Sequence, residues 1–455
     1  VIDWAAATAC ADELLSRRDE TARVVADAEA AAPRFRNRDF PLSPLPLFVS
    51  EPQARLVTSR LEAYVGVLGK ASRLYREHAE VRRWYGLGPA AEALIDADTK
   101  LGDRVWVCRL DGYLEQGTER LVLLENNADA PAGTLFTARV NNLVAGILDR
   151  LGIRGVDPSP LTYRDEAALL DVLRSAASSV GADRIESVAV LQPAGRSNVE
   201  SVEKVAVLQA HGVDAFVADP RGLRVEKGRA VFDGRPADAC WNKVNTVAWE
   251  KLVADDPELV TRWVEALRDS SLVHVNPFGV RYVAESKMTL GFVQEPRFAD
   301  LFDDEERALV AELLPWSRRF TAEVLAPDGG RSLYEELLDC PGDYVLKEPY
   351  DIRGDGVTIG RAVAYGVWRG AVDTALADGR LVQRYAAPTF YPTVRPSAPP
   401  VVPMAVSFDT YVLAGKACGF GSKASLAARV NVFQGGQKLA CLVTPASDRG
   451  VEDGQ

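Results

Sequence analysis

The sequence predicts a mixed fold: an open αβ lobe with α+β segments after it and a helical region before it. Three observations predict this. Between residues 166 and 270 helix-patterned and strand-patterned segments alternate, as in an open parallel sheet. EPQARLVTSRLEAYVGVLGKASRLYREHAEVRRWYG, residues 51–86, keeps apolar positions at three-and-four spacing, which makes residues 1–100 a mainly helical region. From residue 271 onward, short β-rich segments are punctuated by Gly-rich loops up to residue 445, and a polar tail, 446–455, is expected to be disordered.

The elements follow in order. VIDWAAATACADELLSRRDE reads as an amphipathic helix, and without a basic leading segment it is not expected to be a signal peptide. The Pro-rich piece DFPLSPLPLFVS (39–50) separates it from the long helical run. Within a segment taken as 101–165, DRVWVCRLDGYLE (103–115) and ERLVLLENNAD (119–129) are joined by QGT and predict a β-hairpin. RDEAALLDVLRSAASSVG reads as a helix, ESVAVLQPAG as a strand into a Gly turn, NVESVEKVAVLQAHG as a helix, and VAWEKLVADDPELVTRWVEALRDS (247–270) as helical. In the last part ERALVAELLPWSRRF reads as a helix, DYVLKEPYDIRGDGVTIG as strand, Gly-rich loop and strand, and GRLVQRYAAP as a strand.

Composition narrows the function. The 455 residues carry a net charge of −11, which argues against nucleic acid or an anionic membrane as the main partner. No apolar run approaches the roughly 20 residues of a membrane span. The six Cys are dispersed without a CxxC pair and read as reduced, which suggests a cytoplasmic protein. Three His, none at ligand spacing, disfavour a His-built zinc site or a His-based triad. Catalysis would have to rest on carboxylates, Lys, Arg and backbone amides.

Residues two apart on a strand share a face, so Arg109 pairs with Asp111 and Glu125 with Asn127 on the hairpin. If those faces meet, one Arg, two carboxylates and one amide converge, a donor set that suits Mg²⁺ with phosphate oxygens. The plainer alternative is a surface hairpin with solvated charges and a polar turn. Lys347 ends an apolar strand before the loop Arg353, Gly354, Asp355 and Gly356, whose glycines allow backbone N–H groups to approach phosphate. It is not a Walker loop, and a plain Gly turn reads equally well. Lys287 lies in a polar break of VAESKMTLGFV, where an exposed Lys is the ordinary expectation. LVQRYAAP suits a hinge strand against an adenine ring and equally a core strand followed by a turn; GFGSKASLAARVNVFQGGQ gathers Lys423, Arg429 and Asn431 near four Gly, which suits phosphate contacts, with an ordinary surface β-turn region as the alternative.

The order of these segments resembles the synthetase domain of the glutathionylspermidine synthase family, which has a circularly permuted ATP-grasp fold. VCRLDGYL with LVLLENNADAPAGTLF, VNPFGVRYVAESKMTLGFV, YVLKEPYDIRGDGVTIG, LVQRYAAP and the Gly-rich end carry the likeness, over about residues 100–440. The resemblance implies an ADP-forming carboxylate–amine ligase that makes an amide through an acyl phosphate, using ATP and Mg²⁺. Its substrates would be a small-molecule carboxylate and an amine, an amino acid or small peptide among them, with a homodimer as the assembly considered. It implies that Asp111, Glu125 and Asn127 hold Mg²⁺ and that Arg109 contacts the transferring phosphate. It further implies that Lys287 and Lys347 hold ATP phosphates under a loop with Arg353, Gly354 and Gly356, and that Gln383, Arg384 and Tyr385 line the adenine pocket. The family's late Gly-x-Gly-x-Arg reads GFGSK, so Lys423 takes that place, with Arg429 as the other late cation. An ATP-grasp phosphotransferase and a non-catalytic ATP-binding protein are the alternatives.

Overall fold

The computed structural model describes residues 1–445 except 157, 183, 197, 352–353, 396–400, 431 and 433–435. The predicted tail and Arg353 and Asn431 therefore lie outside the described residues. The longest helix, Glu51–Glu77, starts with Pro52 in its first turn, where the missing N–H costs nothing. It buries Ala54, Val57, Leu61, Tyr64, Leu68, Ala71 and Tyr75, the three-and-four stripe read from the sequence. Tyr64 Oη at its buried face donates to Asn126 Oδ1 at 3.2 Å, which ties the helix to the hairpin. The Pro-rich piece does more than separate helices. Its end, Leu47–Ser50, is a strand that pairs in parallel with Cys441–Thr444.

Among the described residues the αβ lobe holds a parallel sheet in the order Val273–Val275, Ala239–Asn242, Ser187–Leu191, Asp214–Ala218. Its two central strands are buried at every position, as a sheet covered on both faces requires. The helical stretch after it is two helices, Thr246–Asp255 and Glu258–Asp269. Pro257 between them cannot donate to the ladder of a continuous helix.

A second, antiparallel sheet has the order Ser317–Arg319, Leu381–Arg384, Tyr344–Lys347, Val357–Ile359. Here the helix read into ERALVAELLPWSRRF is corrected. The helix is Asp304–Leu313, Pro315 follows it, and Ser317–Arg319 turns into an edge strand. The third sheet is also antiparallel, in the order Phe390–Val394, Val401–Val406, Lys416–Ser425, Phe408–Leu413, Val107–Leu114, Leu121–Asn127, with Gln437–Leu439 added beside Lys416–Ser425. The early hairpin thus completes a sheet built mostly from the end of the chain. Its register sets Arg109 opposite Asn127 and Asp111 opposite Glu125, while the strand on the other side sets Tyr411 beside Arg109 and Asp409 beside Asp111. The register shifts just after Asp111, at Gly112, where a Cβ would lie 2.6 Å from the Val122 carbonyl oxygen.

Candidate functional site

One cavity of about 490 Å³ lies where the second and third sheets, the parallel lobe and the N-terminal region meet. Arg109, Asp111, Glu125, Asn127, Lys287, Lys347, Gly354, Gln383, Arg384, Tyr385, Lys423 and Arg429 all line it. Gly356 does not; its N–H donates to Asp351 Oδ2 at 3.2 Å and braces the loop from behind. Nine Lys and Arg against six Asp and Glu line the cavity, an excess of cation in a chain of net charge −11. Such a local excess focuses a positive field on any anion that enters.

The hairpin cluster is tightly wired. Arg109 meets Asp111 with two parallel bonds, the second at 2.9 Å, and donates to Asn127 Oδ1 at 3.1 Å and to the Ala132 carbonyl at 2.9 Å. Lys423 Nζ bridges Asp111 Oδ2 at 3.1 Å and Asp409 Oδ2 at 3.0 Å. Burial pushes the Asp111 carboxyl up, but Arg109 and Lys423 beside it hold it well below the usual carboxylate range. Asp111 and Arg109 side chains are only 15% exposed, which removes the solvated surface-hairpin alternative.

The lysines sit across from it. Lys287 is 2% exposed, so the ordinary expectation of an exposed Lys fails. It follows a π-helical turn, Val280–Ala284, and opens the short helix Met288–Phe292. Its Nζ lies 2.7 Å from both Glu125 Oε1 and Asp351 Oδ1. Burial lowers its pKa, but those two carboxylates carry it above the ordinary Lys value. Lys347 Nζ donates to the Leu124 carbonyl at 2.6 Å, and burial outweighs the pull of Glu125 and lowers it to about 8.

The Gly-rich loop is pinned from the far end of the chain. Arg429 donates to the carbonyls of Gly354 and Val357. Gly354 has φ +76°, and a Cβ there would lie 2.9 Å from Arg429 Cδ, so glycine is required twice over. Arg429 thus holds the loop in this state, while Lys423 holds the carboxylates. Gln383 is buried and donates to Ser317 Oγ at 3.0 Å; Arg384 lies over the Tyr344 ring, and Tyr385 carries the Arg361 guanidinium 3.6 Å above its own ring.

Several lining residues escaped the sequence reading. Lys438 stands directly opposite Lys423 on adjacent strands, and burial, then Lys423 and Arg109, lower it to about 8 against the pull of Asp409. Its only signal is a single Lys inside the apolar run QKLACL. Asp409 is 1% exposed and its Oδ1 has no hydrogen-bond partner among the described residues. Behind the loop 128–135, the fully buried Glu200 accepts from Gly133 N at 3.0 Å and Leu135 N at 3.1 Å. Lys204 donates to Thr134 Oγ1 and Lys243 to the Ala130 carbonyl at 2.8 Å. These contacts form only through tertiary folding and have no local motif.

Among the described residues no group of three or more His, Cys, Asp and Glu forms a metal cage. Two carboxylates and an amide, with an orphaned Asp409 oxygen nearby, still fit the sparse protein ligation that Mg²⁺ accepts. Among the described residues no helix is long and apolar enough to cross a membrane.

No protein-family model and no curated protein matches the sequence. Solved structures do. A glutathione synthetase-like effector from Globodera pallida is similar over 94% of this chain and 97% of its own, with TM-score 0.60 and 14% identity. A protein from Methylobacillus flagellatus, provisionally named gamma-glutamylcysteine synthetase, overlaps 80% of this chain and 84% of its own at TM-score 0.40 and 11% identity. The first likeness establishes the architecture: the chain has a mixed helix-and-sheet fold of the glutathione synthetase-like kind.

Proposed function

We propose that the protein is an ADP-forming, ATP-grasp carboxylate–amine ligase with a circularly permuted chain, acting on an amino acid or short peptide. The observation that carries this is the meeting in one cation-rich cavity of four distant segments: the hairpin, Lys287, the Lys347 strand with its Gly-rich loop, and the late cations. The permuted reading is supported by the hairpin, which precedes in the chain the strands it pairs with in space. In this reading γ-phosphoryl transfer to the acid gives an acyl phosphate, which an amine attacks with release of phosphate. Lys287 and Lys347 place the phosphates, and Arg109 and Lys423 face the charge that spreads over the transferring group. Asp111, Glu125 and Asn127 would hold Mg²⁺, which supplies charge neutralisation at phosphate oxygens. Arg429 keeps the Gly-rich loop over the site, where it excludes the water that would hydrolyse the acyl phosphate. Gln383, Arg384 and Tyr385 form the wall assigned to the adenine. The test is ADP release against a panel of acids and amines, singly and in pairs. Release that requires one of each, with amide as product, is expected; release with a hydroxyl acceptor and a phosphorylated product overturns the ligase in favour of a kinase.

A further inference from the structure

The cavity has two chemically different ends. The sheet that carries Lys347 and the Gly-rich loop forms one. The other is built from four pieces that touch each other: the strap 32–40 after the helix Arg18–Ala31, the loop 128–135 with the start of the helix Phe136–Arg150, the start of the helix Val199–Ala210 and the turn 243–246. Arg139 donates to the Arg34 carbonyl, and Asn37 Oδ1 accepts from Glu200 N at 3.2 Å, which joins the strap to the other pieces.

Phe35, Phe40 and Phe136 line this end; Phe35 is 5% and Phe136 6% exposed, and the Arg36 guanidinium lies 5.0 Å from the Phe35 ring. The exposed Asn37 and the half-buried Asn198 and Asn245 line the same cavity. Asn37 and Asn198 share the Glu200 N–H through their Oδ1 atoms, and Asn245 Oδ1 accepts from Ala248 N at 2.9 Å. Those bonds fix the amide orientations, so each Nδ2 is left as a donor without a protein partner among the described residues. The carboxylates here accept from neighbouring groups. Asp129 accepts from Thr246 N at 2.7 Å and Thr246 Oγ1 at 3.0 Å, and Glu285 from Asp129 N at 2.9 Å. Amide donors beside phenyl rings recognise oxygens next to an apolar group, and the cations at this end, Arg36 and Lys243, are taken by Glu29 and by the Ala130 carbonyl.

We propose that this end binds the carboxylate substrate, and that this substrate is a peptide-like acid with an apolar side chain: its oxygens meet the Asn37, Asn198 and Asn245 amides and its side chain the three Phe rings. This rests on the ligase reading, whose amide-forming chemistry it makes specific. The experiment uses hydroxylamine as the amine, which traps an acyl phosphate as the hydroxamate, with Mg-ATP and alanyl-leucine, alanyl-glutamate or alanyl-lysine as the acid. Alanyl-leucine should exceed the other two at least ten-fold in kcat/KM. The double variant Asn198→Asp/Asn245→Asp keeps both helix-capping oxygens and replaces both donors by acceptors. It should lose at least ten-fold in kcat/KM for alanyl-leucine, with KM for ATP within two-fold of wild type. Preference for alanyl-glutamate or alanyl-lysine, or wild-type kinetics in the double variant, overturns the inference and leaves the ligase standing. Calorimetric titration of alanyl-leucine in the presence of ADP separates the two. Binding that the double variant abolishes, with no hydroxamate from any acid, refutes the ligase and retains the peptide site. No binding and no hydroxamate refutes both.

Discussion

Two lysines poised to titrate near neutrality set the residue-scale chemistry. Lys347 and Lys438 line the same cavity, and burial lowers each to about 8. A bound phosphate favours the charged ammonium and raises both values, so the complex takes up protons that the free protein lacks. Nucleotide affinity should therefore fall as pH rises through 8. Titration calorimetry at pH 8.5 in buffers of different ionisation enthalpy should show net proton uptake; pH-independent affinity would mean that neither ammonium meets phosphate. Lys287 behaves differently, because Glu125 and Asp351 already hold it charged. Lys287→Met leaves the Asp351 carboxylate buried without its cation, which costs about 3–5 kcal/mol when a buried pair is broken. The variant should unfold at distinctly lower denaturant and release ADP at least a hundred-fold more slowly; urea unfolding and an ADP assay check the two effects separately. That burial was not legible in VAESKMTLGFV. The segment names its residues but not the sheet that Lys347 brings over them, a closure made by the Lys287 N–H to Pro349 carbonyl bond at 2.9 Å together with the Lys287–Asp351 pair.

At the scale of elements, local pattern succeeded where pairing is local. The hairpin was legible because β-branched runs flank QGT, and the parallel strands because continuous apolar runs alternate with helices. Ser317–Arg319 was not, since a Ser-Arg-Arg strand has no apolar alternation and exists only because Leu381–Arg384 offers it a partner. The same limit hid the buried Glu200 cluster, whose partners beyond its own helix include the loop 128–135 and Lys243. The Gly-rich loop makes an element-scale prediction. At φ +76° an L side chain costs about 1–2 kcal/mol, and at Gly354 it also collides with Arg429. Gly354→Ala should raise KM for ATP several-fold while the melting temperature moves by about 2 °C or less, because the loop is half exposed and carries little of the core. Equal loss of stability and activity would show the loop to be a structural strut instead of a cover.

For the whole molecule, polar bonds to cations of the lining cross the cavity between its two sides. Lys347 reaches the Leu124 carbonyl, Lys287 reaches Glu125, and Arg429 reaches the Gly-rich loop. Each of these links ends on a cation of the cavity lining, so an anion bound between the sheets adds to the joint instead of competing with an apolar contact. Nucleotide should then act as a cross-brace. At 100 times its dissociation constant a ligand that binds only the folded state contributes about 2.7 kcal/mol. Mg-ATP should raise the melting temperature by a few degrees, and hydrogen exchange should slow in both Leu121–Asn127 and Tyr344–Lys347, strands of different sheets. Lys347→Met should keep the first strand's intrinsic protection but lose the nucleotide-induced increase in both. Protection confined to Tyr344–Lys347 would place the nucleotide on one sheet alone. The hairpin carboxylates would then have no phosphate to face, and the ligase reading would lose the convergence on which it stands.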